Sequence, residues 1–205
     1  MKKEVEKKII NAARELFYEK GFTGTTVRDI SGKAEVNLAL LHYYFRTKDK
    51  IFEIVFSEAF SLLFKRLNKA LSSDVDIFEK IKLIISSYIS TCAKYPQLAS
   101  FIMHELSVNS EFVWTIITSY KEKQDINNNY AFFFEEIKKL GKEKKIQEID
   151  PKVLFIDIMS LSLFPFMANE FISNFLYPKK KTEFNKMIKD RTEHVYNLII
   201  NSITI

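Results

Sequence analysis

One cysteine, Cys92, among 205 residues excludes an intrachain disulfide. The thiol reads as a small buried hydrophobe, with a redox sensor as the alternative. Three histidines, His42, His104 and His194, fall in three different predicted elements, so no metal-ligand spacing arises. Glycine and proline number four each, too few to interrupt many long helices, and neither a glycine-rich phosphate loop nor a Gly-x-Ser-x-Gly elbow is present. Long apolar runs are also missing: the charge-free stretch 158–169 covers 12 residues and contains Pro165, short of the ~18 that a membrane span needs. The opening MKKEVEKKII alternates lysine with glutamate and lacks the apolar run of a signal peptide. These absences argue against an enzyme, a metal or cofactor protein and a membrane protein. A cytoplasmic chain is expected.

What remains is a globular composition, 47% hydrophobic and 28% charged, with few helix breakers. It predicts an all-α fold of about nine helices. The formal charge of +5 is uneven: residues 1–52 hold 11 Lys/Arg against 7 Asp/Glu, whereas residues 53–205 hold 20 against 19. The cationic excess thus sits at one end, as phosphate neutralisation by a small module would require.

That end contains TTVRDISGKAEVNLALLHYYFRTK, residues 25–48. Thr26 followed three residues later by Asp29 is a capping-box start, so a helix begins at Val27, with Val27, Ile30 and Ala34 on one stripe. Glu35-Val36-Asn37 interrupts the pattern, and Asn37 is a favoured N-cap for a second helix through Tyr44. Two short helices with so short a turn make a helix-turn-helix candidate. In the second helix Leu40, Leu41 and Tyr44 can pack inward, which leaves Leu38, Ala39, His42 and Tyr43 outward. That face is small, aromatic and uncharged, suited to a major groove, with Arg28, Lys33, Arg46 and Lys48 at its edges for phosphates.

These residues resemble the DNA-binding domain of the tetracycline-repressor (TetR) family of bacterial transcriptional regulators. The shared pattern is Thr26-Val27, Ile30-Ser31, Ala34 with Val36, then Leu41, Tyr43, Phe45, Lys48 and Ile51-Phe52. Departures are Glu35 where glycine is usual, Asn37 where serine is usual, and Ala39 and His42 where glycine and tyrosine are frequent. Glu35 would cost roughly 1 kcal/mol at a positive φ. The resemblance implies a homodimeric repressor of a palindromic double-stranded operator, released by a small effector. Thr26, Lys48 and the Tyr43 hydroxyl would hold phosphates, with Val27 and Lys33 beside them, while Arg28, Asn37, Leu38, Ala39 and His42 lie near base edges.

Along the chain, residues 3–20 form a first helix that Gly21 can stop, and Phe22 plugs a small core beside Phe17 and Ile30. Thr47 caps a fourth helix that runs to about Leu71 and ends at Ser72-Ser73-Asp74. The expected division is 1–48 for DNA binding and 49–205 for effector binding and dimerisation, joined without a flexible linker. Helices follow at about 75–93, 97–107, 110–140, 151–177 and 183–203. Asn127-Asn128-Asn129 can kink the longest, Gly141 ends it, and Asp150-Pro151 opens the next.

Between Val153 and Tyr177 only Asp157 and Glu170 are charged, so this helix needs cover on more than one side. Phe155, Met159, Phe171 and Phe175 from it, with Phe184, Ile188, Val195 and Ile199 from the last helix, are the predicted dimer bundle. The middle is rich in aromatic and apolar residues, and an apolar or aromatic effector is expected. Tyr88, Phe101, His104 and Trp114, with Tyr130, Phe134, Phe166 and Asn169, are the candidate pocket. The lysines 179–181 read as a solvated loop. Two other readings stay open, a regulator without an effector and a helical protein-interaction module.

Overall fold

The computed structural model describes residues 2–124 and 126–205, with the backbone alone for Lys2 and residues 121–127. Ile9, Ala13, Leu16 and Phe17 bury one face of α1 (Lys2–Lys20), which stops where Gly21 turns left-handed at φ 68°. A non-glycine residue there would meet more than backbone strain, because a Cβ would lie 2.9 Å from His104 Nε2 and 3.0 Å from Glu105 Oε1. α2 (Val27–Lys33) and α3 (Leu38–Phe45) follow, then α4 (Lys48–Leu71), whose first turn is capped by the Thr47 hydroxyl accepting from Lys50 N–H at 3.3 Å.

The remaining helices are α5 (Ile77–Lys94), α6 (Leu98–Val108), α7 (Ser110–Gln124), α8 (Ile126–Lys142), α9 (Pro151–Met167), α10 (Asn169–Phe175) and α11 (Lys181–Ile203). Among the described residues there is no strand, so the fold is all-α, with eleven helices where about nine are expected. Two of the predicted long helices each correspond to two helices here. The first, 110–140, is described as α7 and α8 on either side of Asp125, which lies outside the described residues, and the second, 151–177, divides into α9 and α10. α8 ends differently from the expectation too. Lys144, at φ 53°, takes the left-handed position, with Lys145 N–H donating to Leu140 O. Gly141 lies against the following turn, where a Cβ would be 3.4 Å from the Glu148 Cα, an ordinary contact.

Two compact units result. Residues 1–61 with 100–120 form the first, and 62–99 with 121–205 the second, so α4 gives its first part to one and the rest to the other. The first is built on aromatic rings. Phe52, Phe56 and Phe60 repeat at i, i+4 and i+8 on the buried face of α4, with successive centroids 5.7 and 6.2 Å apart. Phe17 meets Phe52 edge-on at 5.2 Å, and Phe101 packs on Phe52 and Phe56. Each fully buried ring stabilises the fold by about 1.5–3 kcal/mol. In the second unit α5 packs against α9 and α11, and α8 and α10 pack on α9. Lys80, largely buried, joins α5 to α8 through Glu136 at 2.7 Å.

The second division has a visible cause. Pro165 lacks an N–H, so the carbonyl of Leu161, four residues earlier, loses its helical donor. The Arg191 guanidinium of α11 supplies the missing donors, with Nη2 at 2.8 Å and Nε at 3.2 Å from Leu161 O. Partial burial holds the Arg191 pKa below its ordinary value through desolvation. Beyond Pro165 the helix ends at Ala168, and α10 leaves at 69° to α9. No single helix among the described residues is long and apolar enough to cross a membrane.

Arg191→Met should therefore lower stability by about 1.5–3 kcal/mol in the natural sequence. In a Pro165→Ala background the loss should shrink, because the new N–H satisfies Leu161. A double-mutant cycle by urea denaturation at one protein concentration reads the coupling, and strictly additive losses would refute this role for Arg191.

Candidate nucleic-acid interface

The reading pair is assembled by caps. Thr26 Oγ1 accepts from Asp29 N–H at 3.1 Å, and Asp29 Oδ2 accepts from Thr26 N–H at 2.8 Å, which is a reciprocal capping box. The Thr26 hydroxyl also donates to Asp29 Oδ2 at 2.7 Å, so its proton is already engaged. These bonds, the hydroxyl's first, hold the Asp29 carboxyl below its ordinary value. Because the folded pKa is depressed, the cap stabilises above the ordinary carboxylate range, and its contribution fades as pH falls below about 4 and through the folded pKa.

α2 ends in a Schellman turn: Val36 N–H donates to Ser31 O and Glu35 N–H to Gly32 O, with Glu35 at φ 54°. A glutamate thus occupies the left-handed position where glycine is the easy residue, consistent with the cost foreseen from the sequence. Asn37 then caps α3, its Oδ1 accepting from Leu40 N–H at 2.7 Å. Leu41 is wholly buried, Leu38, Leu40 and Tyr44 are half-buried, and Ala39, His42 and Tyr43 are exposed, Tyr43 at 72%. His42 Nδ1–H donates to Arg46 O at 2.9 Å, which turns Nε2 outward. Val27 is half-buried on α2, Arg28 and Arg46 are exposed without an ion pair among the described residues, and Lys33 is paired with Glu15 at 2.9 Å.

Lys48, expected on a phosphate, also has partners within the protein. Its ammonium donates to Phe22 O at 2.8 Å and Thr25 O at 2.9 Å and lies 4.0 Å from the Phe22 ring centroid. The charge is engaged inside the protein, tying α4 to the turn before α2. Two further residues hold the same turn, and motif reading did not assign them this work. The buried Thr25 hydroxyl donates to Gly21 O at 2.8 Å. Glu105, fully buried on α6, accepts from Phe22 N–H at 2.8 Å and from Asn109 Nδ2 at 2.6 Å. A lone acid in the apolar run of α6 was the available signal.

The eight candidate pocket residues are divided between the two units. Phe101, His104 and Trp114 belong to the first unit, where Phe101 packs 4.5 Å from Tyr18 and Trp114 is half-exposed. Tyr88, Tyr130, Phe134, Phe166 and Asn169 belong to the second. Tyr130 and Phe134 cluster with Phe133 and Phe155, and burial pushes up the hydroxyl pKa of Tyr88 and of Tyr130. Phe166 and Asn169 line a cleft of about 560 Å³ with α5, α10 and the start of α11. Among the described residues the buried hydroxyls of Thr91 on α5 and Ser162 on α9 have no hydrogen-bond partner, while the Tyr88 hydroxyl faces that of Tyr130. Nearby, burial raises the Cys92 thiol to about 12, which keeps it neutral and inert as a nucleophile.

The predicted dimer residues also divide. Phe171 and Phe175 are exposed and stacked at 5.3 Å, and Met159, Phe184 and Ile188 are half-buried. Phe155, Val195 and Ile199 instead fill the second unit's own core, and the outward positions are Val153, Ile156 and Phe164 on α9 and Leu198 on α11.

Residues 9–55 match the family described as bacterial regulatory proteins, tetR family. The "Probable HTH-type transcriptional regulator YttP" of Bacillus subtilis is 31% identical over 180 residues, spanning 86% of this chain and 84% of that protein. The biofilm operon icaADBC HTH-type negative transcriptional regulator IcaR of Staphylococcus aureus is 32% identical over 149 residues, covering 68% of this chain and 71% of that protein. Among solved structures, the transcriptional regulator FadR from Bacillus subtilis in complex with stearoyl-CoA superposes with a TM-score of 0.63 at 20% identity, over 96% of this chain and 98% of that one.

Lys48→Met should lower the stability of the first unit by about 2 kcal/mol, since two turn carbonyls lose a charged donor. Thermal melting reads this, and an unchanged midpoint would return Lys48 to the solvent-facing role. Glu35→Gly should be neutral or stabilising by up to about 1 kcal/mol, whereas Glu35→Val should destabilise by a similar amount or more. Equal melting of the two variants would show that the turn does not hold its positive φ in solution.

Proposed function

The chain belongs to the tetR family of bacterial regulatory proteins and is a DNA-binding transcriptional repressor, and from this premise we propose that it acts as a homodimer on a palindromic operator. The observation that carries the reading is the uncharged, convex face of α3, with Ala39, His42 and Tyr43 outward and the unpaired Arg28 and Arg46 nearby. Small side chains let a helix approach base edges, and the guanidiniums neutralise phosphates to either side. Tyr43 presents its hydroxyl as a further phosphate donor, and Asn37, Leu38 and His42 read the bases. Residues 1–48 form the reading head and residues 49–205 the effector-binding and dimerisation part. Within the latter, the exposed Val153, Ile156, Phe164, Phe171, Phe175 and Leu198 form the pairing surface, a reading supported by large apolar side chains left outward on α9, α10 and α11. A small, largely apolar molecule acts as effector, a reading supported by the aromatic interior and by the stearoyl-CoA bound to the FadR neighbour.

Footprinting on the DNA flanking the chain's own gene tests the function directly. A protected two-fold site is expected, and no protection at any ionic strength, with fold and pairing intact, overturns the proposal. Arg46→Ala should weaken operator and unrelated duplex by similar factors and reduce the salt slope by about one per half-site. A change in sequence preference with the slope unaltered would contradict the phosphate assignment.

A further inference from the structure

The cleft beside α10 has a composition that the reading above leaves unexplained. On one wall stand Phe166, Phe184 and Ile188, on another Ala93 and Pro96, and the mouth carries lysines 179–181. No aspartate or glutamate is among the lining residues. A second hollow of about 460 Å³ shares Ala93, Asn185 and Ile188 with the first and runs on along α5 and α11, so the space is elongated. Of the three lysines, Lys180 is paired with Glu183 at 3.0 Å, while Lys179 and Lys181 make no ion pair among the described residues. α11 begins there without a side-chain cap, so its first amides and positive end add to the same field.

We propose that this cleft binds an elongated amphipathic anion, its apolar chain along Phe166, Phe184 and Ile188 and its charged head against Lys179 and Lys181. A purely apolar ligand would leave two cations at the mouth unused, and a small anion would leave the aromatic wall wet. The volume lies within the 300–1,000 Å³ usual for small-molecule sites. α10 links occupancy to the rest of the unit. Asn169, Ser173 and Tyr177 face the cleft, while Phe171 and Phe175 stack on its exposed side, so an occupant presses on the helix that carries part of the proposed pairing surface. The inference names the class of effector and in that respect rests on the regulator reading.

Calorimetry on the full chain with three probes separates the parts of the claim: dodecanoate below its micelle threshold, dodecan-1-ol and acetate. Dodecanoate should bind one per chain, dodecan-1-ol about tenfold or more weakly, and acetate not measurably. The pair K179E and K181E together should bring dodecanoate down to the level of the alcohol without affecting the alcohol. Ala93→Trp, at an exposed position lining both hollows, should abolish both, with Asn185→Trp as a second filling variant should the first fail to fold. Saturating dodecanoate should also shift duplex affinity about tenfold. Equal binding of acid and alcohol, indifference to the lysine reversals, full binding in the filled variants, or an unshifted duplex affinity would each overturn the proposal. A chain that binds duplex but takes up no dodecanoate sinks this inference alone; one that takes up dodecanoate but never binds duplex sinks the operator reading instead.

Discussion

The buried carboxylate of Glu105 and the ammonium of Lys48 hold the turn from Gly21 to Thr25, and the reading pair depends on that turn. Phe22 is gripped twice, its N–H by Glu105 and its carbonyl by Lys48, while its ring packs 4.8 Å from Phe52. A buried carboxylate is tolerated only where hydrogen bonds replace its lost hydration, which Phe22 N–H and Asn109 supply to Glu105, while the half-buried Lys48 keeps part of its contact with solvent. Thr25 closes the turn from the inside, and Gly21 makes room for it. The path from α1 into α2 is thereby fixed, and α2 in turn packs on α3. A recognition helix must be rigid relative to its support if two copies are to keep one spacing on DNA. In this chain the support includes α6 and the first part of α7 as well as α1 and α4.

The second unit follows a different logic, in which a proline defect is repaired across helices. Pro165 would leave an orphan carbonyl in the middle of a nearly uncharged helix, and Arg191 satisfies it from α11. The same defect lets the chain bend into α10, whose polar face closes the cleft and whose aromatic face stays outward. The proline defect, its repair by the half-buried Arg191 and the bend into α10 thus lie within one stretch of the second unit, beside the cleft.

The sequence was most legible where structure is set by neighbours a few residues apart. The Thr26–Asp29 box, the Asn37 cap, Gly21 and the strained Glu35 turn are local devices, and each is present where the spacing places it. Legibility fell where a partner comes from far along the chain. Lys48 carries the pattern of a phosphate ligand, yet the carbonyls it meets lie 23 and 26 residues earlier, beyond the reach of periodicity. Glu105 is the one acid in the apolar run of α6, but its use at Phe22 required knowing that α6 belongs with α1. Phe155 shows a third limit: α9 is apolar nearly all round, so hydrophobicity cannot say which stripe faces inward.

The central claim is that the Gly21–Thr25 turn is a buried, hydrogen-bonded joint and not a solvated loop. Native-state hydrogen exchange of the Phe22 amide tests it most directly. If Glu105 holds that N–H, it should exchange as slowly as the buried amides of α1, and Glu105→Ala should release it while α1 stays protected. Exchange of Phe22 in the unsubstituted chain as fast as its exposed neighbours Thr23 and Gly24 would contradict the account.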